Sequence, residues 1–282
     1  MGPHWGGYSA LKYLFVFGAS NCDVGYNSEC PPPTKEEPLG VPFPGITYAE
    51  EGKPNWVGYL ARDLCPSGSG DVHPLLVFDY AKGGAIVPDV VLQVSDQFVE
   101  KAGKKPSWAP WAAGNSLFST WIGGNDCGRK YRFDPAESID RLFEIQEKLY
   151  EAGARNFLFI NLPPMKRSPL GSSQGKLQRS SKDPYYTWNT ILRSYAHGFA
   201  DEHPDASVFV FSAWNLFSEI LDDPVAHGFN TDDPSRAFGG IWNDTLHPTT
   251  RVHRLIAESV KDFLCNAKVG EHEERMPVLF GE

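Results

Sequence analysis

Short runs of β-branched and aromatic residues recur along the chain, and they alternate with segments whose apolar positions fall at helical spacing. Residues 12–17, 75–80, 117–122, 156–160 and 207–211 hold so few exposed-type side chains that both faces of each strand must be covered. Between them, residues 138–151 place Ile139, Leu142, Phe143 and Leu149 on one helical face, with Gly153 as a stop. Residues 249–264 do the same with Val252, Leu255, Ile256, Val260 and Phe263, just after Pro248. Residues 185–200 and 214–221 are shorter helical patterns. Strands alternating with helices predict βαβ units, hence a parallel sheet with helices on both faces. The whole chain, residues 1–282, reads as a single domain, with residues 1–10 and 267–282 at its periphery.

Two stretches break the pattern. Residues 27–55 are dense in proline, which neither a helix interior nor a central strand tolerates, and residues 163–184 are polar and rich in Ser, Gly and Lys. Each follows the C-terminal end of an expected strand. Ligands bind at that edge of open parallel sheets, so the two loops are expected to wall a site. Composition narrows what the site takes. The 282 residues include 26 Lys and Arg against 35 Asp and Glu, and this net charge of -9 provides no basic stripe for nucleic acid. No apolar run approaches the roughly 20 residues of a membrane span, so none is expected. The opening residues lack the pattern of a secretory leader; a cytoplasmic chain and the mature form of a secreted one both fit. Cys22, Cys30, Cys65, Cys127 and Cys265 form no CxxC pair, which argues against a disulfide scaffold or a zinc site. His197, His203, His227 and His253 likewise lack ligand-like spacing, and residues 271–275 read as a solvated tail.

Three expected strands end in small-residue clusters: Gly18-Ala19-Ser20, Ala81-Lys82-Gly83-Gly84 and Gly123-Gly124-Asn125-Asp126. Parallel topology brings all three to one edge. There Ser20 would stand exposed at a strand-to-helix turn, glycine N–H groups could approach a reacting oxygen, and Asn125 would add a side-chain donor. A fourth piece, Asp244-Thr245-Leu246-His247-Pro248, precedes the last helix. An aspartate three residues before a histidine lets one turn of chain fold the carboxylate onto Nδ1 and leaves Nε2 free to take a proton from a serine. Each piece alone is common, and their order and placement carry the reading. The glycosylation sequon at Asn243 falls inside this group and is read as chance.

These pieces resemble the conserved blocks of the GDSL or SGNH hydrolases. FVFGASNCDVG, residues 15–25, is similar to the first block, FGDSxxDxG, through Ser20, Asp23 and Gly25. YAKGG resembles the second block and puts Gly84 at the oxyanion position, with Gly83 as the alternative. GGND resembles the third and gives Asn125; DTLHP resembles the fifth and gives Asp244 and His247. Residues 38–60, PLGVPFPGITYAEEGKPNWVGYL, are similar to the fungal GDSL esterases of carbohydrate esterase family sixteen, which remove acetyl groups from sugars; a loop of this kind also suits plant-type GDSL lipases. The resemblance implies a flavodoxin-like three-layer α/β/α sandwich with a parallel sheet of about five strands. It also implies no metal or organic cofactor and a small-molecule or oligosaccharide ester as substrate. Ser20 would be the nucleophile, His247 its base and Asp244 the group orienting the imidazole. The backbone N–H groups of Ser20 and Gly84 and the side chain of Asn125 would hold the oxyanion. One position departs from the family pattern: the aspartate before the nucleophile, which braces the serine turn, is Ala19 here.

Hydrolysis of a short acyl ester through an acyl-enzyme is therefore expected. Two alternatives stay open: an acyltransferase or biosynthetic tailoring enzyme using the same Ser-His-Asp site, and a non-catalytic carbohydrate-binding protein that kept the fold. Trp56, Trp121 and Trp242 adjoin the motifs and are candidates for a substrate wall, although aromatic residues mostly fill cores. Cys22 and Cys127 each lie two residues beyond a site residue, so both are expected near the site floor, either bridged or as two buried thiols.

Overall fold

A computed structural model describes residues 1–66, 74–128, 134–174, 183–267 and 279–280. Strands β1 (Tyr13–Gly18), β2 (Leu76–Asp79), β3 (Ser116–Trp121), β4 (Asn156–Ile160) and β5 (Ser207–Phe211) form a parallel sheet in the order β2-β1-β3-β4-β5. A two-residue strand, β6 (Leu279–Phe280), pairs beyond β5. Every residue of β1, β3, β4 and β5 is buried, which is why these strands read as continuous apolar runs.

The helices are α1 (Trp56–Arg62), α2 (Val87–Leu92), α3 (Gly124–Gly128), α4 (Pro135–Glu151), α5 (Pro169–Gln174), α6 (Pro184–Glu202), α7 (Ala213–Asp222) and α8 (Thr250–Asn266). Helix α1 packs with α8, whereas α4 packs with α6 and α2, giving the helical layers of an α/β/α sandwich. A π-helical segment, Gln93–Val99, continues directly from α2. Phe15 in β1 stacks on its register neighbours Phe78 (5.2 Å) and Phe118 (4.7 Å), and Phe98 and Trp111 close on it edge-on. This aromatic cluster fixes the strand that ends at Gly18, two residues before Ser20.

The chain leaves β1 toward β2 on one side and returns to β3 on the other. The C-terminal end of β1 is therefore the switch point of the sheet, where a crevice opens between diverging connections. Asn125, in α3, and Gly84 follow the flanking strands to the same edge.

The expected strands and helices are found with shifted ends. α4 begins at Pro135, capped by Asp134, whose side chain accepts from the Ala136 N–H; Thr249 caps α8 in the same way through Val252. α1, α2, α3 and α5 were not expected. Residues 27–55 do form a long loop, while the stretch at 163–184 contains α5 and lies outside the described residues at 175–182. The tail at 271–275 is also outside them. Residues 1–10, expected at the periphery, instead cover the sheet beside β5: Trp5 is buried edge-on against Phe209, and the Gly2 N–H donates to Ser207 Oγ. Ala267 is buried too and accepts from Trp5 Nε1.

Candidate active site

Ser20 lies two residues past β1 in a turn closed by the Ala19 carbonyl, which accepts from the N–H groups of Cys22 (2.9 Å) and Asp23 (3.2 Å). Gly18 precedes it at φ 153°, and a Cβ there would collide with the backbone of Trp121, so this position requires glycine. Asp23, buried, ties two blocks together: Oδ1 accepts from Gly25 N–H and Oδ2 from Gly83 N–H, both at 2.7 Å. Asn55 accepts from the first N–H groups of α1 and donates to the carbonyls of Cys22 and Asp23. The serine turn is thus held without a carboxylate at position 19.

The Asp244-to-His247 turn is built by an antiparallel closure of the chain, with Trp242 bridging Pro248 and Asn243 N–H donating to the His247 carbonyl. Within it, Asp244 Oδ1 accepts from the N–H groups of Leu246 (2.6 Å) and His247 (2.7 Å), and Oδ2 meets His247 Nδ1 at 2.7 Å. His247 Nε2 is 2.9 Å from Ser20 Oγ. Burial raises the pKa of Asp244, but the hydrogen bonds from the His247 side chain and from the two backbone N–H groups outweigh it and hold the carboxyl below its ordinary range. The carboxylate therefore remains charged at neutral pH and faces a ring that can take a proton.

Asn125 Nδ2 donates to the Ala85 carbonyl at 2.9 Å, which leaves the second hydrogen of the same amide for a ligand. Of the two glycines considered, Gly83 has committed its N–H to Asp23. Gly84 sits at φ 80° with open space around it, and its N–H and that of Ser20 make no hydrogen bond among the described residues. The five expected residues are accordingly brought to one edge, with Gly84 rather than Gly83 carrying the unengaged donor.

A cleft of about 60 Å³ opens at Ser20, His247 and Asn125, lined further by Ile122, Leu162, Met165 and Tyr185. A single water fills about 10–15 Å³ on this measure, so the cleft holds a group of a few heavy atoms and its walls are mostly apolar. Of the three tryptophans considered for a wall, only Trp121 lines the cleft; Trp56 and Trp242 are core residues. Tyr48, from the proline-rich loop, was missed. Its ring lies 4.8 Å from that of His247, and its hydroxyl occupies the space a Cβ at Gly83 would need. Its carbonyl is held by Asn243 Nδ2, so the amide of the sequon is engaged in this site. Cys22 and Cys127 are both buried free thiols, the first beside Trp56 and the second donating to the Pro184 carbonyl; the bridge considered for them is not formed.

Glu147, Glu202 and His203 converge within 4.8 Å, but they lie at the end of α6 that leads into β5, at the opposite edge of the sheet. His203 Nε2 there is already engaged by Glu147.

Beneath the site, on α8, His253 is fully buried. Burial, with the His247 charge adding to it, lowers its pKa from 6.5 to about 3. The folded ring stays neutral while the unfolded chain binds a proton below pH 6.5, so this residue withdraws stability as the pH falls from 6.5 toward 3. His253→Leu should flatten the dependence of the urea midpoint on pH between about 6.5 and 5, above the range where carboxylates titrate. An unchanged slope would show that His253 does not carry this effect.

The chain is similar to known proteins over most of its length. The family model for GDSL-like lipases and acylhydrolases matches residues 14–260. An acetylesterase of Thermothelomyces thermophilus is 31% identical over 279 residues, covering 90% of this chain and 88% of its own. A phosphatidylcholine-sterol acyltransferase of Aeromonas hydrophila is 25% identical over 83% of this chain and 68% of its own. Among solved structures, an acetylxylan esterase of Geobacillus stearothermophilus aligns with a TM-score of 0.57 at 14% identity, over 97% of this chain and all of the other, a likeness of fold. No helix among the described residues is long and apolar enough to cross a membrane. From the match over most of its length, the chain belongs to the GDSL-like lipase/acylhydrolase family and is a carboxylic ester hydrolase.

Proposed function

We propose that this esterase removes a short acyl group, acetyl in the simplest case, from an alcohol of a small molecule or carbohydrate, with Ser20, His247 and Asp244 as its catalytic triad. The observation that carries the reading is the continuous relay from Asp244 through His247 to Ser20 Oγ, at 2.7 and 2.9 Å, opening onto a cleft of only about 60 Å³. Ser20 Oγ bonds to the acyl carbon as its proton passes to His247 Nε2. The carbon–oxygen bond to the alcohol then breaks, and the same proton leaves with the alkoxide. Water repeats the sequence against the acyl-enzyme and releases the acid. Ionised Asp244 stabilises the imidazolium in both halves.

The carbonyl oxygen becomes negative in each tetrahedral intermediate. The N–H groups of Ser20 and Gly84 and the free amide hydrogen of Asn125 are its proposed donors. Asn125→Ala should lower kcat about 10²–10³-fold with little change in KM, because the donor acts on charge that develops after binding. Steady-state kinetics on a p-nitrophenyl ester reads this directly; a loss confined to KM would count against the role.

Acyl length and alcohol are tested together by p-nitrophenyl esters of increasing chain length alongside acetylated sugars. The reading expects acetyl and propionyl esters to be cleaved best and acetylated sugars to be deacetylated; preference for an octanoyl ester would overturn it. The similarity to the Aeromonas acyltransferase supports a second reading, interception of the acyl-enzyme by an alcohol. Product partition with added acceptor alcohol separates the two: acyl transfer that outpaces hydrolysis at low acceptor concentration would favour the second.

A further inference from the structure

The side chain of Gln93 is buried against the last residue of the nucleophile strand and makes two hydrogen bonds to a single peptide position. Its Oε1 accepts from the Gly18 N–H and its Nε2 donates to the Gly18 carbonyl, each at 2.9 Å. The Gly18 carbonyl also accepts from the Lys82 N–H at 3.0 Å, at the start of the turn that presents Gly84. One amide side chain is therefore joined to the strand end that carries Ser20, and through the shared carbonyl to the second proposed oxyanion turn.

The backbone around Gln93 is arranged for this contact. Gln93 opens the π-helical segment, in which hydrogen bonds close over five residues. Gln93 and Phe98, five apart, are both buried. The wider turn lets Gln93 reach the end of β1 while Phe98 packs on Phe15, Phe17, Tyr80 and Trp111. In a regular α-helix residues five apart face well away from each other, so one of the two contacts would be lost. A buried polar side chain stands where an apolar one could pack, and both of its side-chain hydrogen bonds among the described residues go to Gly18.

We propose that Gln93 is the positioning residue for the nucleophile: its amide clamps Gly18 and thereby sets where Ser20 Oγ stands relative to His247 and Gly84. It supplies from beneath the strand the restraint that Ala19, having no polar side chain, cannot supply from within the turn. Gln93 touches no reacting atom and acts through the backbone. The inference rests on the assignment of Ser20 as nucleophile.

Two variants grade the clamp. Gln93→Met keeps length and removes both hydrogen bonds; Gln93→Glu keeps an acceptor for the Gly18 N–H. Thermal melts establish that each is folded at the assay temperature. Loss of alignment at the nucleophile by a fraction of an ångström to one ångström lowers rate by up to about 10²-fold. In Gln93→Met, kcat on p-nitrophenyl acetate and the rate of fluorophosphonate labelling at Ser20 should therefore fall together by about that factor, with KM within about twofold of wild type. Gln93→Glu should fall between the two. In the wild-type protein the Gly18 amide proton should exchange as slowly as those of the β1 core, a readout that needs no variant.

A folded Gln93→Met enzyme with wild-type kcat, a change confined to KM, or loop-like exchange at Gly18 would overturn the clamp while leaving Ser20 as nucleophile. If wild-type protein failed to label at Ser20, the nucleophile assignment itself would fall, and the clamp with it.

Discussion

Ser20→Ala should abolish the acyl-enzyme and lower kcat by about 10⁶-fold while leaving the fold intact, because every step of the proposed reaction passes through its Oγ. The hydroxyl is one atom at the mouth of a cleft, and its removal leaves the strand, the turn bonds from Ala19 and the Asp244–His247 pair in place. The residual rate would come from the oxyanion donors alone. Activity and melting temperature measured on the same preparation test this: an unchanged melt with activity at the limit of detection is expected. Near-wild-type turnover would assign the chemistry elsewhere.

Asp244→Asn should cost about 10⁴-fold in kcat, and the local hydrogen bonds give the reason. Asp244 Oδ1 is the acceptor for the N–H groups of Leu246 and His247, and asparagine can satisfy those two donors only by placing its single oxygen there. Its NH₂ group must then face His247 Nδ1, which becomes the acceptor. The ring proton moves to Nε2, and a protonated Nε2 cannot take the proton of Ser20 at 2.9 Å. The variant should bind substrate with little change in KM and remain folded. Loss of only a few-fold would mean that the carboxylate orients the turn and contributes little to the imidazolium.

The sheet was legible because its strands are covered on both faces, so burial appears in sequence as unbroken apolar runs such as Tyr13–Gly18. Three of the candidate site residues, Ser20, Gly84 and Asn125, were legible for a related reason: parallel strands send their C-terminal ends to one edge, and small-residue clusters follow β1, β2 and β3 there. Asp244 and His247 were legible instead from their three-residue spacing just before the last helix. Helix α1 was not legible because its first six residues are buried, Trp56 through Ala61, and a helix buried all round has no polar face to reveal its period. The π segment was hidden for the opposite reason, since Gln93 and Phe98 are five apart and match no regular template. Gln93 belongs to no motif in the sequence, and its burial against Gly18 is what singles it out.

Two site features depended on three-dimensional choices that spacing does not encode. Gly83 and Gly84 are equivalent as letters, and Asp23 distinguishes them by engaging the N–H of the first. Trp56, Trp121 and Trp242 are likewise equivalent by proximity to motifs, yet two of them fill the core, while Tyr48 reaches His247 from a loop whose path proline content alone does not define.

The central claim is that Ser20 carries the acyl group between the two halves of the reaction. Rapid acid quench during turnover of p-nitrophenyl acetate, followed by peptide mapping by mass, tests it without any variant. One acetyl group on the peptide containing Ser20, localised to its side chain and absent when substrate is omitted, is the result expected. An unmodified Ser20 with the acetyl group on another residue, or steady turnover with no covalent species at any quench time, would contradict the account.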